Sequence, residues 1–271
     1  MSVLAVRIKP RANHQAVAAA LFEAGSMGIH EDGDTLVTNL PDDAAVALLR
    51  EKIAAIDPGV EVDVTAVTPP DFSEWRGTVG AHTVGSITVA PPWVDVDAAE
   101  HLVLIEPAMA FGTGEHATTR LCLSLLQRVI RAGDTVADLG SGSAVLAIAA
   151  AKLGARSVAA IEIDPDATSN AEENVERNGV GGAVHLFEGD AMVLLPLIAP
   201  IRVVIANILS SVILDMVPLI SSSLAPGGEV ILSGIMLEER DMMLERLSGA
   251  GWRVTMDESE GEWWGAIAVV A

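Results

Sequence analysis

The stretch that decides the fold is Asp-Leu-Gly-Ser-Gly-Ser-Ala, residues 138–144, which ends an apolar strand and opens an alanine-rich helix. In an open α/β sheet, ligands bind at the carboxyl ends of the strands. Gly140 and Gly142 let the backbone come close to a ligand, and the start of the helix supplies free amide donors. A glycine turn without a ligand is the simpler alternative, and so short a pattern does not exclude it.

Strands and helices alternate on both sides of this glycine turn. Strands are predicted at 135–139, 158–163, 183–187, 203–206 and 230–233, and helices at 118–131, 144–153, 166–178, 210–224 and 238–250. Such alternation predicts an α/β fold with a mostly parallel sheet and helices on both faces. Two further strands, at 253–258 and 266–270, are joined by a short acidic loop, so we expect an antiparallel hairpin at the edge of the sheet.

The chain divides into two predicted domains and a proline-rich linker. Residues 1–67 alternate strand, helix, strand, helix, strand, an order that suggests a small α+β ferredoxin-like domain. Residues 68–100 are marked by Pro69-Pro70 and Pro91-Pro92, so we assign them to the linker. Residues 101–271 then carry the parallel sheet.

The composition excludes several classes of protein. The 271 residues include 16 Lys and Arg against 37 Asp and Glu, a net charge of −21, which argues against direct nucleic acid binding. Cys122 is the only cysteine, so a disulfide scaffold and a four-cysteine zinc site are both excluded, and we expect a cytoplasmic protein. The most apolar stretch, residues 194–220, contains charged residues and prolines that break it as a membrane span.

Acidic side chains end the two strands that follow the glycine turn. Glu162 lies about 20 residues beyond the turn, where a carboxylate can hold a ribose diol. Asp190 ends the next strand, where it could accept a hydrogen bond from an adenine amino group, although an ordinary solvated loop explains it nearly as well. At the first strand end the alternative is that the carboxylates merely favour the start of the following helix through its dipole, which suits Asp164 well, while Glu162 suits the ribose role better.

Two more segments carry groups suited to a charged ligand and to an amine. Residues 106–119 read E-P-A-M-A-F-G-T-G-E-H-A-T-T, a loop rich in amide and hydroxyl donors that could close over a carboxylate. Residues 207–210, N-I-L-S, end the fourth strand with an amide side chain whose carbonyl can orient the lone pair of an amine. Simple helix capping by threonine or asparagine is the alternative in both places.

Acidic strand ends without a Walker lysine resemble the class I S-adenosylmethionine-dependent methyltransferases. A dehydrogenase is less similar, because Val145 stands where the third glycine of G-x-G-x-x-G would be. Together the motifs closely resemble the family of methyltransferases that modify large-subunit ribosomal protein eleven. The resemblance covers nearly the whole chain and includes N-V-E-R-N-G-V at residues 174–180.

The resemblance implies a Rossmann-like class I methyltransferase sheet with a terminal antiparallel hairpin, and S-adenosylmethionine as the cofactor. It implies that lysine ε-amino groups or the α-amino group of large-subunit ribosomal protein eleven are methylated, without a metal, and that Asn207 is the catalytic residue near the acceptor nitrogen. The cofactor-binding residues that it implies are Phe111, Gly112, Thr113, Thr118, Thr119, Asp138, Gly140, Gly142, Glu162, Asp190 and Asn207.

The chain departs from the family pattern at four positions. Glu106, Ala108, Ala144 and Glu162 stand where the family has Asp, Gly, Gly and Asp. We expect Ala144 to begin the helix, where alanine is well tolerated. These departures keep two alternatives open: an N-methyltransferase of another protein or small molecule, and a non-catalytic S-adenosylmethionine-binding module. Trp263-Trp264 fits either packing or the edge of the active site.

Overall fold

The computed structural model describes residues 3–11, 13–26, 30–32, 34–40, 43–58, 60, 62–67, 79–107 and 114–271. The chain splits into two compact units, residues 1–78 and 79–271. Each unit has its own sheet and its own apolar core.

The first unit is a four-stranded antiparallel sheet with two helices. Its elements are β1 (Val3–Ile8), α1 (His14–Glu23), β2 (His30–Asp32), β3 (Thr35–Leu40), α2 (Asp43–Ile56) and β4 (Val62–Val67). The strand order is β2-β3-β1-β4, and its core joins Val6 and Ile8 to Leu21 and Leu49 of the two helices. The sequence missed β2, because three residues are too few for an alternating pattern to show.

The second unit carries the larger sheet among its described residues. Its strands are β5 (His82–Val84), β6 (Ile87–Ala90), β7 (His101–Leu104), β8 (Thr135–Leu139), β9 (Ser157–Glu162), β10 (Val184–Glu188), β11 (Ile201–Asn207), β12 (Leu224–Met236), β13 (Trp252–Glu260) and β14 (Trp263–Val270). Its helices are α3 (Ala117–Val129), α4 (Val145–Lys152), α5 (Pro165–Arg177), α6 (Ala191–Ile198), α7 (Ser210–Ser223) and α8 (Arg240–Gly249), with a 3-10 turn at Leu237–Glu239. We call this last segment the 3-10 turn below.

The large sheet has the order β10-β9-β8-β11-β12-β14-β13. Neighbours from β10 to β12 are parallel, and β14 runs antiparallel to both β12 and β13. The prediction of an α/β fold with a terminal antiparallel hairpin is confirmed. The chain reverses its direction of travel across the sheet between β8 and β11, and open α/β sheets bind ligands at such a crevice.

Two apolar cores cover the two faces of this sheet. Helices α3, α4 and α5 pack on one face around residues such as Leu125 and Ile148. Helices α6, α7 and α8 pack on the other face, around a core that includes Ile213, Leu232 and the fully buried Trp264. Trp264 is therefore a core residue, while its neighbour Trp263 has a different environment, described below.

Residues 79–100, which the sequence assigns to the linker, are grouped with the second unit. They contribute β5 and β6 to a three-stranded sheet completed by β7, in which β6 pairs antiparallel with β5 and parallel with β7. Ile87 and Val89 are buried in the core that also contains Leu123 of α3. Residues 68–78 lie outside the described part of the chain.

Helix α5 holds the segment that follows β7 through two asparagine side chains. Asn174 accepts a hydrogen bond from the Glu106 amide at 2.9 Å and donates one to the Ser143 carbonyl at 3.1 Å. Asn178, one turn later, bonds both the amide and the carbonyl of Leu104, at 2.9 and 2.6 Å. These two side chains thus tie β7 and the residues after it to the glycine turn of residues 140–144.

Candidate active site

A cavity of about 610 Å³ opens at the carboxyl ends of the central strands. Its wall brings together residues that the sequence predicted from separate segments, namely Thr118, Gly140, Glu162, Asp190 and Asn207. Apolar side chains complete the wall, namely Leu139, Ile161, Ile163, Met192, Ile208, Leu209, Val212, Met216 and Trp263. Convergent polar groups in a largely apolar cavity are typical of a small-molecule site.

Asp138 lies beneath the cavity, at the end of β8. Its Oδ2 accepts a hydrogen bond from the amide of Ala147 at 3.0 Å, so it serves an N–H of the first turn of α4. Burial raises the pKa of this carboxyl to about 7; the Ala147 bond opposes the rise and the nearby charge of Glu162 adds to it. Asp138 supports the glycine turn from below and does not line the cavity.

Ala144 corrects one expectation from the sequence. It does not begin helix α4 but precedes it, in the left-handed region with φ 64° and ψ 19°, and its side chain makes no capping bond. A left-handed conformation costs an L-residue about 1–2 kcal/mol. Glycine would avoid this cost, while the fully buried methyl group of Ala144 offsets part of it.

Glu162 ends β9 with its carboxylate held by backbone amides. Its Oε2 accepts from Gly142 at 2.8 Å, and its Oε1 accepts from Ile163 at 2.8 Å and from Asp164 at 3.0 Å. A carboxylate has about four acceptor positions. Three are used, so one remains on Oε2 for a hydroxyl of a ligand, and the carboxylate is fixed before any ligand arrives.

Asp190 combines a structural contact with a place on the cavity wall. Its Oδ1 caps α6 by accepting from the Met192 amide at 2.8 Å, and the side chain is exposed. Asp164 caps α5 in the same manner, accepting from Asp166 at 3.0 Å, but it does not line the cavity. Helix capping thus accounts for Asp164, as the sequence alternative proposed, and is an additional role of Asp190.

Asn207 presents an unsatisfied acceptor at the cavity. Its Oδ1 is buried and has no hydrogen-bond partner among the described residues. Leaving such a group unpaired costs about 1–3 kcal/mol. An acceptor kept in this state is ready for a donor that arrives with a ligand.

The loop after Asn207 passes so close to Gly140 and Gly234 that neither position has room for a side chain. A Cβ on Gly234 (φ +80°) would lie 2.5 Å from the Ile208 carbonyl oxygen, and a Cβ on Gly140 would lie 2.8 Å from Ile208 Cγ2. Gly234 follows Ser233, the partner of Asn207 in the parallel register of β11 and β12. Neither position accepts a side chain without moving the loop.

His116 and Trp263 form one side of the cavity. His116 caps α3, with Nδ1 2.8 Å from Thr118 Oγ1, and its ring meets Trp263 edge-on at a centroid distance of 5.0 Å. Arg120 adds a second link by pairing with Glu260 of the hairpin. Trp263 therefore edges the site, which resolves the choice left open for it by the sequence.

Five further residues that the sequence predicted are not among those that line the cavity. Thr119 and Gly142 lie directly behind it; Thr119 is fully buried, and its Oγ1 lacks a partner in the part of the chain that the structure describes. Phe111, Gly112 and Thr113 lie outside the described residues, as does Ala108. Sequence reasoning missed Ile163, Met192, Leu209 and Val212, because an apolar residue after a strand or in the first turn of a helix carries no signal of its own.

Neither a metal-binding group of side chains nor a membrane-spanning helix is found among the described residues. No three His, Cys, Asp or Glu side chains are grouped there in a way that could hold a metal ion. In the same residues, no helix is long and apolar enough to span a membrane.

Comparisons with known proteins agree on one family. Residues 38–270 match the sequence profile described as ribosomal protein L11 methyltransferase (PrmA). Proteins named ribosomal protein L11 methyltransferase from Pelotomaculum thermopropionicum and Thermus thermophilus are 40% and 36% identical to the chain, over 83% and 90% of it and 75% and 90% of their own lengths.

A solved structure supports the same assignment. The crystal structure of ribosomal protein L11 methylase from Lactobacillus delbrueckii subsp. bulgaricus matches with a TM-score of 0.65 and 30% identity, over 70% of this chain and 98% of that one. The class I methyltransferase fold and S-adenosylmethionine as the expected cofactor follow from these matches. The chain belongs to the ribosomal protein L11 methyltransferase family.

Proposed function

We propose that this protein transfers methyl groups from S-adenosylmethionine to amino groups of ribosomal protein L11, on lysine side chains, at the N-terminus, or on both. The family assignment supports the reaction class and the partner. The observation that carries the proposal for this chain is the buried, unpartnered Oδ1 of Asn207 at the cavity wall. It supplies the acceptor that a primary amine needs for orientation.

The residues present fit the cofactor. Two buried hydroxyl oxygens, Thr119 Oγ1 and Ser141 Oγ, have no partner within the described ranges and are open to a hydrogen bond with a ligand. Each belongs to a residue that lines the cavity or follows one that does. Glu162 and Asp190 would hold the ribose and the adenine, with Gly140 and Gly142 beneath and Thr118 at the side. We also assign Phe111, Gly112 and Thr113 to cofactor binding, and this assignment rests on the family resemblance alone.

The protein contributes orientation and a dry surface. When bound, S-adenosylmethionine supplies a methyl group that its sulfonium already activates. Asn207 Oδ1 accepts one N–H of the incoming neutral amine, which leaves the nitrogen lone pair directed at the methyl carbon. The new bond is N–C, the broken bond is C–S, and the proton then on nitrogen leaves to water.

The apolar part of the wall favours the reactive form of a lysine. Its amine has an ordinary pKa of about 10.4, so it arrives protonated and must lose a proton before it reacts. Ile163, Leu209 and Val212 lie at the cavity, and removal of water by such side chains lowers the pKa of an amine. Desolvation thus promotes the neutral amine without a dedicated base.

Mass spectrometry of intact ribosomal protein L11, incubated with the enzyme and S-adenosylmethionine, tests the proposal. We expect mass increases of whole methyl groups with the wild type, and a rate about 100-fold lower with Asn207→Ala. Val193→Ala is the matched control, because Val193 is exposed and outside the cavity wall, and we expect it to behave as the wild type. Calorimetric titration should give an S-adenosylmethionine Kd for Asn207→Ala within about threefold of the wild type.

Other outcomes point elsewhere. Equal losses of turnover and cofactor affinity in Asn207→Ala would contradict the orienting role. Cofactor binding without any methylation of L11, but with methylation of another amine, would identify a different substrate. Cofactor binding without transfer to any amine would identify a binding module.

A further inference from the structure

The start of helix α7 lacks the capping side chain that three other helices of this unit have. His116, Asp164 and Asp190 cap α3, α5 and α6 with their own side chains. Leu209 occupies the corresponding position of α7 and cannot cap. Instead its side chain is 69% exposed and lines the cavity. The residue before α7 therefore contributes an apolar side chain to the cavity wall, and another group holds the start of the helix.

That group is Glu239, in the 3-10 turn after β12. Ser210, the first residue of α7, donates its hydroxyl to Glu239 Oε1 at 2.6 Å, and Met236 donates its amide to Glu239 Oε2 at 3.0 Å. The carboxylate also places a negative charge at the N-terminal end of α7, where the helix dipole favours it. The 3-10 turn is itself fixed, because Leu237 donates its amide to the Glu262 carbonyl at 2.7 Å.

Together with the glycine contact, this bond fixes the loop 207–210 at two points. The Ile208 backbone lies so close to Gly234 that a Cβ there would come within 2.5 Å of the Ile208 carbonyl oxygen, and Glu239 accepts the hydrogen bond of the Ser210 hydroxyl. Asn207 lies at the other end of this four-residue loop, and no partner of its Oδ1 within the described residues holds the amide in place. The aim of the Oδ1 therefore depends on the backbone, and the backbone depends on these two contacts.

We infer that Glu239 is a positioning residue for methyl transfer: acting through Ser210, it keeps the Asn207 carbonyl aimed at the acceptor nitrogen. The inference rests on the proposed function, since it assumes that Asn207 orients the amine. A misplacement of about 1 Å can cost on the order of 100-fold in rate. Loss of one of two anchors is expected to cost about tenfold in kcat, with binding of the cofactor retained.

The test measures kcat and KM for purified L11, Kd for S-adenosylmethionine, and Tm. Ser210→Ala and Glu239→Ala should each lower kcat about tenfold, with KM and Kd within about twofold. The double variant should be no slower than Glu239→Ala alone, because each substitution removes the same bond. Ser210→Thr retains a hydroxyl and should keep kcat within about threefold of the wild type. Glu238→Ala is the matched control, since this exposed neighbour takes no part in the Ser210–Glu239 bond.

Two results would overturn the inference. An unchanged kcat in Ser210→Ala, with or without a lower Tm, would show that the Ser210–Glu239 bond only stabilises helix α7. A loss of cofactor affinity in proportion to kcat would place the effect on cofactor binding. Should Glu239→Ala fail to fold, Ser210→Ala still decides, since it deletes a single hydroxyl. Asn207→Ala and the wild type in the same assay separate the failures. If the wild type does not methylate L11, the proposed function has failed; if Asn207→Ala equals an active wild type, the orienting role of Asn207 has failed; and if Asn207→Ala alone is impaired, only the role of the Ser210–Glu239 bond has failed.

Discussion

Substitution of Gly234 by alanine should impair both stability and turnover. The left-handed φ of +80° costs alanine about 1 kcal/mol after its gain in the unfolded chain is subtracted. The added Cβ would also lie 2.5 Å from the Ile208 carbonyl oxygen, a backbone atom that cannot rotate away. Overpacking of this kind costs about 1–3 kcal/mol. Gly234→Ala should therefore lose about 2–4 kcal/mol in the free energy of unfolding.

Gly227→Ala separates the two contributions. Gly227 has φ +72°, close to that of Gly234, but an added Cβ there meets nothing within 4 Å. It should lose only about 1 kcal/mol by urea unfolding followed through tryptophan fluorescence. Gly234→Ala should also lower kcat, because the displaced Ile208 follows Asn207, whereas Gly227→Ala should leave kcat unchanged. Equal losses of stability in the two variants, or an unaffected kcat in Gly234→Ala, would refute the reasoning.

Three further predictions concern buried groups. The folded-state pKa of Asp138, about 7, exceeds its ordinary value, so its contribution to stability is present at low pH and is lost as pH rises through 7. Between pH 5 and 8, wild-type stability to urea should therefore fall relative to Asp138→Asn. Burial raises the pKa of the Cys122 thiol, which should react with a disulfide reagent in absorbance assays only after unfolding. Ala144→Gly should change the free energy of unfolding by less than about 1 kcal/mol, since relief of the left-handed strain offsets the lost methyl group. By the same urea assay, Ala147→Gly, at a buried position with right-handed backbone in the first turn of α4, should lose about 2 kcal/mol.

The sheet and much of the site were predictable because their signals are local. Each apolar run marks a buried strand, and a polar residue directly after such a run must lie at the carboxyl edge of a parallel sheet. This argument predicted Gly140, Glu162, Asp190 and Asn207 as neighbours from four segments, and all four line the cavity. The roles of these residues toward the cofactor and the amine remain predictions.

The features that were not predictable depend on distant contacts or on backbone angles. Trp263 reaches the cavity through the register of a hairpin, and Glu239 meets Ser210 across 29 residues. The left-handed backbone conformation of Ala144 leaves no recognisable pattern in the sequence. Helix α6 was missed because it is apolar on most sides and contains Pro196, so neither a polar face nor a helix-forming run marks it.

The place of β14 in the sheet has a consequence for the nascent chain. During synthesis, β8 to β12 leave the ribosome before β14, which then inserts between β12 and β13 and brings Trp263 to the cavity. Until that moment β12 presents an unpaired edge, which is a template for pairing with other chains. The Trp263 side of the cavity is thus completed by a strand that is synthesised after all the segments that carry Gly140, Glu162, Asp190 and Asn207.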